Sequence, residues 1–187
     1  MKKALTPSFE NFYDKIKEIL ESARNRSYMA VNFEMVQAYW NIGRSIVEEE
    51  QAGRERAEYG KYLLSNLSIR LTAEYGKGFD YRNLAYMRQF YQTFPNMNAL
   101  RSELSWTHYR ILIRVDREQA REFYLQECVE GNWSTRQLER QINSLYFERI
   151  LMSSKKGRPL VKKEADGKKE VMQPGHIIKD PYVLEFL

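Results

Sequence analysis

Arg136, Arg140 and Asn143 are spaced by four and then three residues, which at about 100° per residue lines them up on one side of a helix. Guanidinium and carboxamide groups on one face are the groups that grip phosphates and read base edges, arginine pairing with guanine and asparagine with adenine. Leu138, Ile142 and Leu145 fall on the opposite side and call for a core. The polar side is left to meet a partner. A charged helix face is most often simply solvated, and Glu139 and Glu148 could neutralise part of this one. Phe147, near the same face, fits a buried or interface role better than solvation.

A second polar stripe, Arg82, Tyr86, Gln89 and Thr93, lies opposite Leu84, Met87 and Tyr91 and would suit a groove as well as solvent. Just before it, Lys77 sits between Gly76 and Gly78. This is not a P-loop, which needs wider glycine spacing and a lysine followed by Ser or Thr. It reads equally as an interhelical turn and as a backbone-phosphate contact through an exposed Lys77. Other chemistry is sparse. His108, His176 and Cys128 are too widely separated to form a metal site, and no serine or cysteine sits in a nucleophile motif. His108 reads as a turn or surface histidine and Cys128 as a half-buried helix residue. The expectation is no catalytic residue, no metal and no cofactor.

The elements that must hold these residues are helices. Asp116 can N-cap one, with Gln119 placed to reach back to the cap, and Gly131 marks its end by taking the left-handed conformation. Ser134 opens the next as a capping box with Gln137, Trp133 and Leu138 form a hydrophobic staple, and the helix runs on to Phe147. Upstream, Phe9–Ala23 and Tyr28–Glu50 read as two helices able to pair as an antiparallel hairpin. The second carries a sustained apolar stripe from Tyr28 through Met35 and Tyr39 to Ile46. Glu58–Thr72 follows, with Leu63, Leu64, Leu67 and Leu71 on one side. Asp80 caps a helix that Phe94-Pro95 ends; after a loop at 95–103, Ser105 caps a short helix with Leu104 and Tyr109 as its staple. Arg110–Val115 is the one ambiguous run.

The fold class expected is therefore mainly α. A multi-helix domain over residues 1–152 contains a helix-turn-helix or winged-helix-like unit; a polar linker rich in Lys, Gly, Pro and Ser follows at 153–175; and residues 176–187 turn apolar again, as the start of a further domain.

Composition narrows the classes. With 43% hydrophobic and 13% aromatic residues the 187-residue chain is globular, and it has neither a membrane-spanning apolar run nor the apolar core of a signal peptide. A single cysteine excludes an internal disulfide and suits a reducing cytoplasm. The net charge of +5 invites a nucleic-acid reading. Yet residues 101–149 carry eight basic and eight acidic side chains, so the placement of charge on helix faces has to carry that reading, not the total.

Several stretches in combination carry a resemblance. They include Leu63-Leu64-Ser65-Asn66-Leu67-Ser68, Leu71 through Phe79, Arg82-Asn83-Leu84, Met87 through Tyr91, Leu104 through Tyr109, Trp133 through Ile142 and Phe147-Glu148-Arg149. Together they resemble the N-terminal domain of the YhcG-type family of bacterial proteins. The resemblance implies a helical module of winged-helix or helix-turn-helix type that precedes a PD-(D/E)XK nuclease domain, and Lys179 through Leu187 is similar to the family's entry into that domain. Such a nuclease needs carboxylates and a lysine on adjacent strands to hold a divalent metal and assist a water. The chain's one acidic-x-Lys triplet, Asp166-Gly167-Lys168, falls in the polar linker, so the catalytic half is expected to be absent. The leading expectation is a non-catalytic domain that binds double-stranded DNA through Arg136, Arg140 and Asn143, with Arg82, Gln89 and Lys77 in support. The alternatives are an oligomerisation or partner-docking module, motivated by the Tyr28 to Ile46 stripe and the aromatic helix ending at Phe94, and a metal-dependent nuclease in its own right.

Overall fold

Between Ser8 and Ile42 the chain contains neither glycine nor proline, and it forms one continuous helix, α1 (Pro7–Ala52), where a hairpin of two is expected. The polar run at the expected break is absorbed locally: Ser27 Oγ donates to the Ala23 carbonyl at 3.1 Å and Arg26 donates to Ser22 Oγ at 2.7 Å. Such back-bonding satisfies the hydroxyl without ending the helix. A computed structural model describes residues 7–52 and 57–153, with Pro159, Val161, Lys162 and Ala165 beyond them. After α1 come α2 (Ala57–Tyr75), α3 (Tyr81–Thr93), α4 (Trp106–Leu112), α5 (Glu118–Gly131), α6 (Thr135–Asn143) and α7 (Tyr146–Met152). Short 3-10 turns stand at Lys77–Phe79 and Met97–Ala99. No β-strand occurs among the described residues, so the mainly α class stands. Most of the expected linker, its acidic-x-Lys triplet and the 176–187 segment lie outside the described residues.

The C-terminal half of α1 is the spine of the core. Asn32, Met35, Val36, Tyr39, Trp40, Ile46 and Val47 are buried at the three- and four-residue steps of one helix face, and α3 packs against them through Leu84, Met87 and Phe90. The stripe that motivates an oligomer is thus spent on the interior. The two helices approach closely at Gly43, where any Cβ would overlap the Met87 carbonyl. Trp40 Nε1 donates to the Phe94 carbonyl at 2.6 Å, which satisfies one of the orphan carbonyls at the end of α3.

Aromatic rings join α4 to this spine. Trp106 meets Tyr39 edge-on at 5.1 Å and Phe90 at 5.4 Å, and Tyr109 lies 4.8 Å from Phe90. Trp106 Nε1 donates to Asn83 Oδ1 at 3.2 Å, and the Asn83 amide in turn donates to the Gly78 carbonyl; the buried carboxamide therefore ties the turn before α3 to α4. Burial holds the Tyr109 hydroxyl protonated, with its pKa pushed up to about 12. The same oxygen accepts the Arg101 N–H at 2.7 Å and so closes the 95–103 loop.

A second aromatic group, Phe123, Tyr124, Tyr146 and Phe147, sits under α5 and α7. It explains why α6 stops at Asn143 instead of running to Phe147. Leu145 takes the left-handed conformation at φ 54, a cost of about 1 to 2 kcal/mol for an L-residue, and the reversal delivers Tyr146 and Phe147 into the core. Leu145 itself, expected inside, is 59% exposed.

Candidate nucleic-acid interface

α5 and α6 are joined by three residues, Asn132, Trp133 and Ser134. The joint differs in detail from the expectation. α5 begins at Glu118 with Arg117, not Asp116, at the cap and no side-chain capping bond there; the Arg117 guanidinium lies 5.2 Å from the centre of the Phe147 ring instead. The left-handed residue at its end is Asn132, φ 47, while Gly131 is still helical. Gly131 is glycine for a steric reason, since a Cβ there would run into the Trp133 indole. Trp133 is buried, and Ser134 caps α6 by accepting the Gln137 N–H at 3.2 Å. Gln137 does not return the bond to the cap. Its side chain is buried and bonds to Arg140 and, at 3.4 Å, to the Ala165 carbonyl.

The turn is fixed from beneath by His108, which is fully buried, not at the surface as expected. It occupies the third position of the α4 capping box: its Nδ1 accepts the Ser105 N–H at 3.2 Å, and Nε2 lies 3.0 Å from the Trp133 carbonyl. With Nδ1 accepting, the proton belongs on Nε2, which donates to that carbonyl. Burial lowers its pKa to about 4, although the Trp133 carbonyl acts in the opposite direction. Neutral His108 therefore clamps the α5–α6 turn to the start of α4. Nothing in its immediate spacing announced this role, apart from its place three residues after a capping serine. Cys128 is likewise fully buried, and burial, with Glu127 adding to it, pushes its thiol pKa up.

With Leu138, Gln137 and Gln141 buried, α6 is held rigidly on one side. On the other, Arg136, Arg140 and Asn143 are exposed and line one shallow, open depression together with Glu139 and Ser144. The three expected residues are thus brought together. Glu139 stands among them, as its position one residue before Arg140 required.

Arg82 and Gln89 also come together, lining an open hollow on α3 with Tyr81, Ala85, Tyr86, Arg88 and Gln92. Here the polar groups are tied inward. Arg88 bonds Glu50 of α1 at 2.7 Å, Gln89 Nε2 donates to the Ile113 carbonyl at 3.0 Å, and Arg110 stacks 4.6 Å from the centre of the Tyr86 ring. Lys77 is exposed on the turn before α3, outside both depressions. Among the described residues no three His, Cys, Asp or Glu side chains gather as a metal site, and no helix is long and apolar enough to cross a membrane.

The model of a family described as the DUF1016 N-terminal domain matches residues 15–149. "Putative nuclease YhcG" of Escherichia coli (strain K12) is 34% identical to the chain over an alignment covering 97% of the chain and 56% of that relative. The chain spans about half the length of the curated relative it matches. No solved structure matches it.

Proposed function

The chain belongs to the DUF1016 N-terminal domain family, and we infer that it docks on double-stranded DNA through the outer face of α6, used as the recognition helix of a helix-turn-helix unit. The observation that carries this reading is the convergence of Arg136, Arg140 and Asn143 on one exposed depression. Rigidity supports it: a side chain reads a base edge only if its helix is held in register, and α6 is capped by Ser134, anchored by Leu138 and clamped through Trp133 and His108. A three-residue turn between two helices is the spacing such units use. Arg82 and Lys77 serve as phosphate contacts, which position the duplex without specifying its sequence, while the Gln89 amide, bonded to the Ile113 carbonyl, stands aside from the duplex.

The name of the longer relative adds a reason for a DNA-docking domain: a nuclease has to be brought to its nucleic acid. On this reading the domain supplies no catalytic group and sets where an attached cutting domain acts, in the cytoplasm of a bacterial cell. Binding is local and modest in strength, because the charge of residues 101–149 is balanced overall.

Fluorescence anisotropy on duplex DNA across a salt series tests the proposal. Binding that weakens log-linearly with salt is expected, and the Arg136→Ala/Arg140→Ala chain should bind far less tightly. No binding at low salt, or no effect of that double change, would defeat it.

A further inference from the structure

Every residue from Phe9 to Ser27 is exposed, so the first half of α1 is a bare helical arm of about 28 Å at 1.5 Å per residue. The arm is not polar all round. Phe9, Phe12, Tyr13, Ile16, Ile19 and Leu20, each between 41% and 60% exposed, recur at three- and four-residue steps and fall on one stripe. An aromatic side chain covers roughly 150–250 Å² when buried. Half-exposed, three such rings with the three aliphatic side chains beside them present on the order of 600 Å², the upper end of what a monomer normally leaves in water.

We propose that a second copy of this chain covers the stripe, the two arms pairing antiparallel about a two-fold axis. The distribution of side-chain size along the arm selects this occupant. Its large residues, Phe9, Phe12 and Tyr13, cluster at the start; its small ones, Ser22, Ala23 and Ser27, cluster at the end; Ile16 and Ile19 lie between. Antiparallel pairing with the axis between Lys17 and Glu18 sets Phe12 against Ala23, Tyr13 against Ser22 and Ile16 against Ile19, so large meets small towards both ends of the seam and equal aliphatic side chains meet at its centre. It also lays Arg26 beside Phe9, a cation over a ring. Parallel pairing would stack Phe12 on Phe12, leave a gap at Ala23 and press Arg26 on Arg26. The contact is isologous, as a closed dimer requires, and two arms together bury about 1,200 Å², the lower end of specific interfaces. This surface shares no residue with α6, so the dimer and DNA docking stand or fall separately.

Sedimentation equilibrium of the full chain over a concentration series should give a mass approaching twice 22.4 kDa, and Ile16→Asp/Ile19→Asp should weaken dimerisation about a hundredfold or more. Since both positions are exposed, the variant should keep the wild-type melting curve at concentrations where both chains are monomeric. Pairing direction is read by mixing Phe12→Cys chains with Ala23→Cys chains under mild oxidation: a disulfide between the two kinds of chain is expected, native Cys128 being buried. A monomer at about 100 μM, a dimer untouched by the two aspartates, or Phe12→Cys chains that link only to each other would each overturn the proposal. So would a monomeric chain whose arm instead binds vesicles of anionic lipid.

Discussion

The outer faces of α3 and α6 are built from the same kinds of residue, yet the molecule uses them differently. On α3 the polar groups reach across to other elements: Arg88 to Glu50 of α1, Gln89 to the backbone after α4, and Tyr86 under Arg110. On α6, Arg140 bonds Gln137 one turn back on its own helix, and the buried Gln137 and Leu138 anchor the other side. An arginine-bearing stripe that bridges helices works as a strut. The α6 stripe instead gathers its polar side chains around one open depression. Sequence periodicity alone cannot distinguish the two, because both satisfy the same three- and four-residue rule.

Removing each face in turn separates the strut from the reading face. Arg136→Ala/Arg140→Ala should cost on the order of 4 kcal/mol of DNA affinity, close to a thousandfold, if both side chains reach base edges. Its stability should fall by only about 1 kcal/mol, the cost of taking the Arg140 donor from buried Gln137. Anisotropy titrations beside urea melts check both halves. If the double variant loses stability instead of affinity, α6 is a strut as well and the contrast collapses.

How far the sequence reveals this division depends on what fixes each feature. The caps at Asp80, Ser105 and Ser134 were legible, because a short polar side chain before an apolar-periodic run has few other uses. The grouping of Arg136, Arg140 and Asn143 was legible for the same reason: helical spacing is a local property. The misses are tertiary. Leu145 belongs to the core stripe by spacing, but Tyr146 and Phe147 gain more by turning inward than it loses by turning out. Cys128 and His108 looked peripheral because polarity and small size predict nothing about partners 25 residues away. The arm of α1 was misread for the opposite reason: its apolar stripe asks for a partner, a hairpin was the nearest one available within the chain, and the continuous helix does not supply it.

His108, the clamp beneath α6, makes stability depend on pH. The imidazole must be neutral to accept from Ser105 and fit its dry site. Its folded pKa of about 4 lies below the ordinary 6.5, so between these values the unfolded chain binds the extra proton. Stability from this group is therefore fully present above about pH 6.5, falls as the pH drops towards 4, and levels off below it, a loss of about 3 kcal/mol in all. Urea melts from pH 7.5 to pH 4 should show that slope, and His108→Gln should be less stable at pH 7 but flatter across the window. An unchanged slope in the variant would assign the acid sensitivity elsewhere.

Smaller still is the effect of the exposed cations near α3. Lys77→Ala/Arg82→Ala should weaken binding about tenfold at moderate salt, equally for all duplex sequences, and reduce the salt slope by one to two units, as expected for about two lost phosphate contacts. A change that depends on sequence would move these residues into the base-reading class and erase the distinction between the two faces.

The smallest effect is the most specific test of the strut. Gln89 is exposed and lies in the α3 hollow, where it looks like a ligand contact, but its amide already donates to the Ile113 carbonyl at 3.0 Å. Removing that donor leaves a carbonyl that water can reach only in part, so Gln89→Ala should cost about 1 kcal/mol of stability. DNA engagement would require the amide to swing away and give up that bond, which makes Gln89 less suited to binding than Arg82 or Lys77. Affinity measured well below the melting temperature should therefore change less than twofold, with the salt slope unaltered. Should affinity fall while stability holds, the bond to Ile113 is one the side chain exchanges for DNA, and α3 would have to be counted as a second reading face.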